Sequence, residues 1–440
     1  MSPTARRERD VTHAGLREAT RNIALVLFGS AAIAAIIGSL ISSRSVHDVE
    51  GVTRVLGYDF HTYAWLPLRD LLHGRSPYHP EVIQLAQTGQ GPGHYTPVYS
   101  TLTYPPLVPL LLAPISLLPQ AAAASLFTVV AALCPAAALY LFRIRDWRCY
   151  ASMYLWWPVF VATHLGTLSS VLLLAVAALW RWRDHSPRAA TSLGVAVAAK
   201  LFLWPMGLWL ILTRRHRAGV SAGLLAGGLV AGSWLLIGWR GLGEYPALLK
   251  AASSLDADQG QSLIAETVLL GLSRATGYAV MLAVGGGLIV LMWKAHRAGF
   301  EGLSFSLATF LCLAWSPVVW SHYLVLLAVP LALCCSTWSA AWLIPCLLVA
   351  APDQIGHEHH GFFLAAPFVT LGIVLLVFGR AYRATNSGAD RGSRTQLTPT
   401  RAGRDLILTL GVRSSGRPVL VVEPQKTVST QTVCERMSEG

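Results

Sequence analysis

The sequence predicts an all-α protein that crosses a membrane many times, and three observations carry that prediction. Apolar residues fill 54% of the 440 positions and charged residues only 13%, with a mean hydropathy of +0.51, whereas a soluble domain carries about 25% charged residues. Apolar runs recur from residue 23 to residue 379, which excludes one soluble domain on a single anchor. The basic residues fall in short clusters between those runs, the pattern of cytoplasmic loops.

The first element is a basic segment, residues 1–22, with Arg6, Arg7, Arg9, Arg17 and Arg21. It predicts a cytoplasmic amino terminus. The apolar run Ile23 to Ile41 follows it as a signal peptide would, but it is long and has no A-x-A site, so it reads as a retained anchor helix. Residues 42–103 form a long hydrophilic loop with Arg44, Arg54, Arg69 and Arg75 against five acids. That balance places the loop outside. Within it Phe60, Ala64, Leu68, Leu71 and Leu72 fall at helical spacing, which predicts a helix along the membrane surface.

Residues 104–118, flanked and interrupted by five prolines from Pro105 to Pro119, cannot make a clean spanning helix and read as re-entrant or interfacial. Beyond them the apolar runs are 120–142, 150–163, 168–180, 189–199, 202–213, 219–239, 276–293, 303–315, 322–336, 338–350 and 362–379. With the anchor helix they give about twelve crossings over a domain at 23–380, both termini inside. The intervening cytoplasmic loops hold Arg143, Arg145 and Arg148; Arg181, Arg183 and Arg188; Arg214, Arg215 and Arg217; and Lys294 and Arg297. Several runs are shorter than the roughly 20 residues a span needs. They either merge or turn back inside a cavity, because backbone that turns at membrane depth survives only where protein or a wet hollow surrounds it. Residues 381–440, rich in Arg, Ser, Thr and Gly, read as a mostly disordered cytoplasmic tail with short strands at 405–412 and 418–422.

Composition also narrows the function. The net charge of +12 is spread over separate loops rather than one surface, which argues against nucleic acid. The seven cysteines avoid the external loop, so neither a disulfide framework nor a zinc site is expected. The adjacent His357, Glu358, His359 and His360 lack the spacing of a helix-borne metal site, and no D-x-D, Walker or dinucleotide motif occurs; no metal and no cofactor is expected. No acid lies in the core of a predicted span and no internal repeat is visible, which weighs against a proton-coupled or inverted-repeat transporter.

What remains is polar chemistry at the outer boundary. Asp59, at the start of the surface helix, either caps that helix or faces the cavity. One carboxylate at a membrane surface suits sugar transfer from a lipid phosphate: the acceptor hydroxyl needs a base, and the phosphate leaves without an acid. A retaining route by two carboxylates needs a second acid about 5 Å away, and Asp70, eleven residues on, is expected to point elsewhere. Lys200 interrupts the apolar run AVAAKLFLWP, where a lysine is costly unless it snorkels or meets an anion. His322, in WSPVVWSHYLVLL, is either a structural histidine or a second anion partner. Tyr63, Tyr104, Gln261, Arg274 and His164 are further candidates by position, Arg240 a weaker one.

The loop GYDFHTYAWLPLRDLLHGRSPYHP followed by TYPPLVPLLLAPISLLP resembles the opening of the bacterial polyprenol-phosphate-mannose-dependent mannosyltransferases, glycosyltransferase family 87 of the GT-C membrane fold. The similarity continues through HLGTLSSVLLL, GVAVAAKLFLWPMGLWLILTRRHR, QSLIAETVLLGL and SPVVWSHYLVLLAVPL, and so covers residues 20 to 380. The resemblance implies an actinobacterial plasma-membrane enzyme with its active site on the extracytoplasmic side. It would take mannose from polyprenyl-phosphate-mannose and add it, in α-1,2 linkage, to a mannolipid acceptor such as a phosphatidylinositol mannoside, among membrane lipids. It also implies that Asp59, in the DF pair, is the catalytic base, that His322 lies near the donor and that Lys200 lies in the inner cavity. This chain departs from its relatives at Thr167, Gly260 and Tyr323, changes that bear on the acceptor more than on the reaction. An arabinofuranosyl transferase, a flippase for a lipid-linked sugar and a noncatalytic scaffold are the rival expectations.

Overall fold

The computed structural model describes residues 56–78, 102–256, 261–347 and 367–379, with the backbone of two strands in the tail. The predicted anchor helix at 23–41, the segment 1–22 and the His357–His360 run lie outside the described residues. A helical segment over 58–72, α1, is made of Tyr58–Phe60, a π-helical turn His61–Trp65 and Leu66–Leu72. The apolar spacing puts Phe60, Ala64 and Leu68 on its buried side. The proline-rich stretch breaks, as its sequence requires, into α2 (Leu107–Leu111) and α3 (Ala113–Ser116).

The body follows: α4 (Gln120–Leu141), α5 (Trp147–Tyr154), α6 (Trp157–His164), α7 (Ser169–Arg181), α8 (Ser186–Ala199), α9 (Pro205–Leu212) and α10 (His216–Leu236). Then come α11 (Tyr245–Asp256), α12 (Leu263–Leu269), α13 (Arg274–Arg297), α14 (Glu301–Ala314), α15 (Ala328–Cys334) and α16 (Pro367–Gly379). Two 3-10 segments, Ser321–Leu327 and Ala340–Leu347, flank α15. In the tail, Leu406–Val412 and Pro418–Pro424 pair as an antiparallel hairpin.

Among the described residues α4, α10 and α13 are long and apolar enough to cross a bilayer, and the pair α6 and α7, bent by 116° at a short break, makes a fourth candidate. The run predicted at 150–163 is two helices rather than one. Pro158 sits in the first turn of α6, where its missing N–H costs nothing, and Trp156 before it is extended. Residues 322–336 and 338–350 are also less regular than their hydropathy suggests, each opening in 3-10 geometry. Two helices, α11 and α12, fall where the threading put no span.

Why so many helices are short becomes clear from what lies at their two ends. Helices α7, α8 and α14 have 13, 14 and 14 residues, about 20 Å each, well under the roughly 30 Å of a hydrocarbon core. At one end their loops are tied by ions: Glu301 accepts from Arg183 and Arg215, and Arg215 also reaches Asp184 at 2.8 Å. Arg183 and Arg215 stack over Trp180 and Trp209. At the other end the same helices stop at Thr167, at Lys200 and before His322. Between these ends lies the main core, with Trp156, Trp209, Trp342 and Phe305 fully enclosed. The indole N–H of Trp156 donates to the Trp342 carbonyl and that of Trp342 to the Cys335 carbonyl, so both large rings enter the core with their polar atoms satisfied.

Candidate active site

The site is built where the start of α1 meets the corner between α6 and α7. The Gly57 N–H donates to the His164 carbonyl and the Asp59 N–H to the Leu165 carbonyl, both at 2.8 Å. Two glycines allow this approach. Gly166 has φ +67°, and a Cβ there would lie 3.2 Å from the Gly57 Cα and 3.1 Å from the Phe60 Cβ; Gly57 has φ +73° and no room for a Cβ against Ala124. Phe60 then stacks on Phe127 at 4.8 Å and seats α1 on α4. These contacts fix the backbone of Asp59 from both sides.

Asp59 does not cap the helix, since Gly57 holds the cap position and no side chain bonds the first amides. It lines a small hollow of about 10 Å³, room for about one water, shared with Tyr63, Tyr104, Val108, Phe127, Gly166 and Thr167 among others. Burial pushes the Asp59 carboxyl up to about 7, and the positive charge of Lys200 pulls the other way. Lys200 follows the last residue of α8, is 6% exposed, and its Nζ makes no hydrogen bond. Its ammonium lies 5.2 Å from the ring of Tyr104, a lining residue, while Lys200 itself is buried behind the lining. His322 is buried one residue from Tyr323, whose ring lies 3.9 Å from the Lys200 Nζ. Tyr63 and Tyr104 meet edge to face at 4.9 Å, and the Tyr104 carbonyl accepts from the Tyr78 hydroxyl at 3.0 Å.

The remaining candidates divide. Gln261 is buried, and its N–H bonds the Val319 carbonyl at 2.5 Å, which ties it to the segment that leads to His322. His164 enters through its backbone, while its ring stacks on Phe160 at 5.7 Å. Arg274 is exposed at the first position of α13 and does not line the cavity. Asp70 is gripped by Arg75 through two bonds of 2.8 and 3.0 Å and also stands apart from the cavity lining. Sequence reasoning missed Glu266, a buried acid on α12 whose carboxyl burial pushes up to about 7. An acid inside the apolar stretch LIAETVLLGL was the available signal. Among the described residues no three His, Cys, Asp or Glu side chains converge as a metal site would require.

The arrangement sets one ionisable carboxylate in a hollow and one buried amine close enough to act on its charge, with the Tyr104 ring beside both, in a membrane protein. The family model described as Glycosyltransferase family 87 matches residues 102–319, just under half the chain, and supports a place for this protein among the glycosyltransferases of that family. The matched region includes Tyr104, the α6–α7 corner, Lys200 and Gln261; Asp59 precedes it and His322 follows it by three residues. No curated protein and no solved structure matches the chain.

Proposed function

We propose that the protein is an inverting mannosyltransferase of the GT-C fold, with about twelve crossings, acting at the outer face of the plasma membrane. The donor in this reading is polyprenyl-phosphate-mannose. The acceptor is a mannolipid, a phosphatidylinositol mannoside extended in α-1,2 linkage. One observation carries the reading: Asp59 lines a cavity and feels the charge of the buried Lys200, whose Nζ makes no hydrogen bond and lies 5.2 Å from the ring of the lining residue Tyr104. The family match supplies the sugar-transfer class.

In this mechanism Asp59 takes the proton of an acceptor hydroxyl as its oxygen attacks the anomeric carbon. The bond from that carbon to the phosphate oxygen breaks, and the phosphate departs with the electron pair, its charge met by Lys200 and His322. Inversion fits because, among the described residues of the first loop, the other acid, Asp70, is held by Arg75 away from the cavity. An α-linked product then requires a β-linked donor. The charge pattern supports the outer location: the cavity lies at the end of α7 opposite the one that leads to Arg183.

The test is purified protein incubated with polyprenyl-phosphate-mannose and a mannolipid, read by mass spectrometry for a product one hexose heavier. Wild-type protein that yields no such product sinks the proposal. Asp59→Asn protein that still moves lipid-linked sugar across a vesicle at the wild-type rate points to a flippase instead.

A further inference from the structure

The ammonium of Lys200 has an aromatic shell. Its Nζ lies 3.9 Å from the ring centre of Tyr323, 5.2 Å from that of Tyr104 and 5.8 Å from that of Phe202. A buried ammonium with no hydrogen-bond acceptor is costly, and ring faces offset part of that cost without consuming any of its N–H donors. The three rings do not contribute equally. Tyr323 is nearest, and it alone braces the other groups: it tilts against Phe202 at 4.9 Å and meets the His322 ring edge to face at 4.9 Å. It belongs to a 3-10 segment in which every residue from Ser321 to Leu327 is buried, so its ring has little freedom to follow Lys200 if the lysine moves.

We infer that Tyr323 is a positioning residue that holds the Lys200 ammonium beside Tyr104, a lining residue of the cavity, through its ring face and thereby sets the affinity for a lipid phosphate. The inference rests on the reading of Lys200 as the anion partner. It adds that this chain orients its cation with an aromatic cage in place of a hydrogen-bonded carboxylate. An acceptor-free cage leaves all three ammonium hydrogens for the incoming phosphate oxygens.

Full-length protein in nanodiscs, titrated with polyprenyl phosphate, tests this through replacements that keep shape and change only ring electrostatics. Tyr323→Phe should bind within about two-fold of wild type. Phenylalanine analogues carrying one, two and three ring fluorines at position 323 should weaken binding in a graded series, and Tyr323→Leu by about ten-fold. In a Lys200→Met background the fluorine dependence should vanish. A series that is flat, or equally steep without Lys200, overturns the role of Tyr323. If Lys200→Met binds as wild type does, the assignment of Lys200 as anion partner fails instead. Wild-type protein that does not bind the probe overturns both.

Discussion

Replacing Asp59 by Asn should abolish turnover and at the same time stabilise the protein. The carboxyl ionises near 3.8 in an unfolded chain and at about 7 here, so folding takes up a proton between those pH values and stability falls as pH rises through them. Above about pH 7 the ionised group costs the fold stability, an effect that the variant removes and that is offset in part because Lys200 loses its counter-charge. Asn keeps the shape and removes the charge. Thermal unfolding at pH 8 should therefore show Asp59→Asn melting a few degrees above wild type, while glycolipid elongation falls by about 100- to 10,000-fold, the usual contribution of a general base. The difference in melting should shrink at pH 5, where the wild-type carboxyl is protonated. A variant that keeps a tenth of wild-type turnover, or that melts lower than wild type at pH 8, refutes this account.

In the proposed mechanism Asp59 must be ionised to act, so kcat/KM should climb about ten-fold per pH unit up to about 7, and a flat profile between pH 5 and 7 would assign the base elsewhere. Gly166→Ala should reduce turnover by about 100-fold, since its φ of +67° and the 3.2 Å approach to Gly57 leave no room for a Cβ without moving the start of α1; normal activity would show that this corner does not hold Asp59. Glu301→Gln should destabilise the fold by about 1–3 kcal/mol by removing the carboxylate that Arg183 and Arg215 share. Its kcat at low temperature should be unchanged, because the ion network lies about 20 Å from the cavity along α7; lost activity in a fully folded variant would refute that separation.

Hydropathy located most helices because burial in lipid or core needs only apolar runs: 120–142, 219–239 and 276–293 correspond to α4, α10 and α13. It misjudged regularity where prolines fall inside apolar segments, at Pro158, Pro330 and Pro345, since hydropathy weighs side chains and not backbone donors. It passed over α11 and α12, which are too short or too mixed to register as spans. Asp59 was legible as an acid at a helix start, and Lys200 as a charge in an apolar run. The cage around Lys200 was not, because Tyr104, Phe202 and Tyr323 share no spacing and meet only after three separate segments fold. Arg274 was singled out for its charge, and charge alone does not say which way a helix start faces.

The corner at Leu165–Leu168 has two duties that cannot be separated. It contributes Gly166, Thr167 and Leu168 to the lining, and through the Leu165 carbonyl it fixes the amide of Asp59. A drift in sequence there that reshaped the hollow for a different alcohol would also retune Asp59, the base of the proposed mechanism. Choice of substrate and catalytic competence are thus expected to evolve together in this protein, and engineering one alone calls for changes at lining residues outside the corner, such as Tyr104 or Val108.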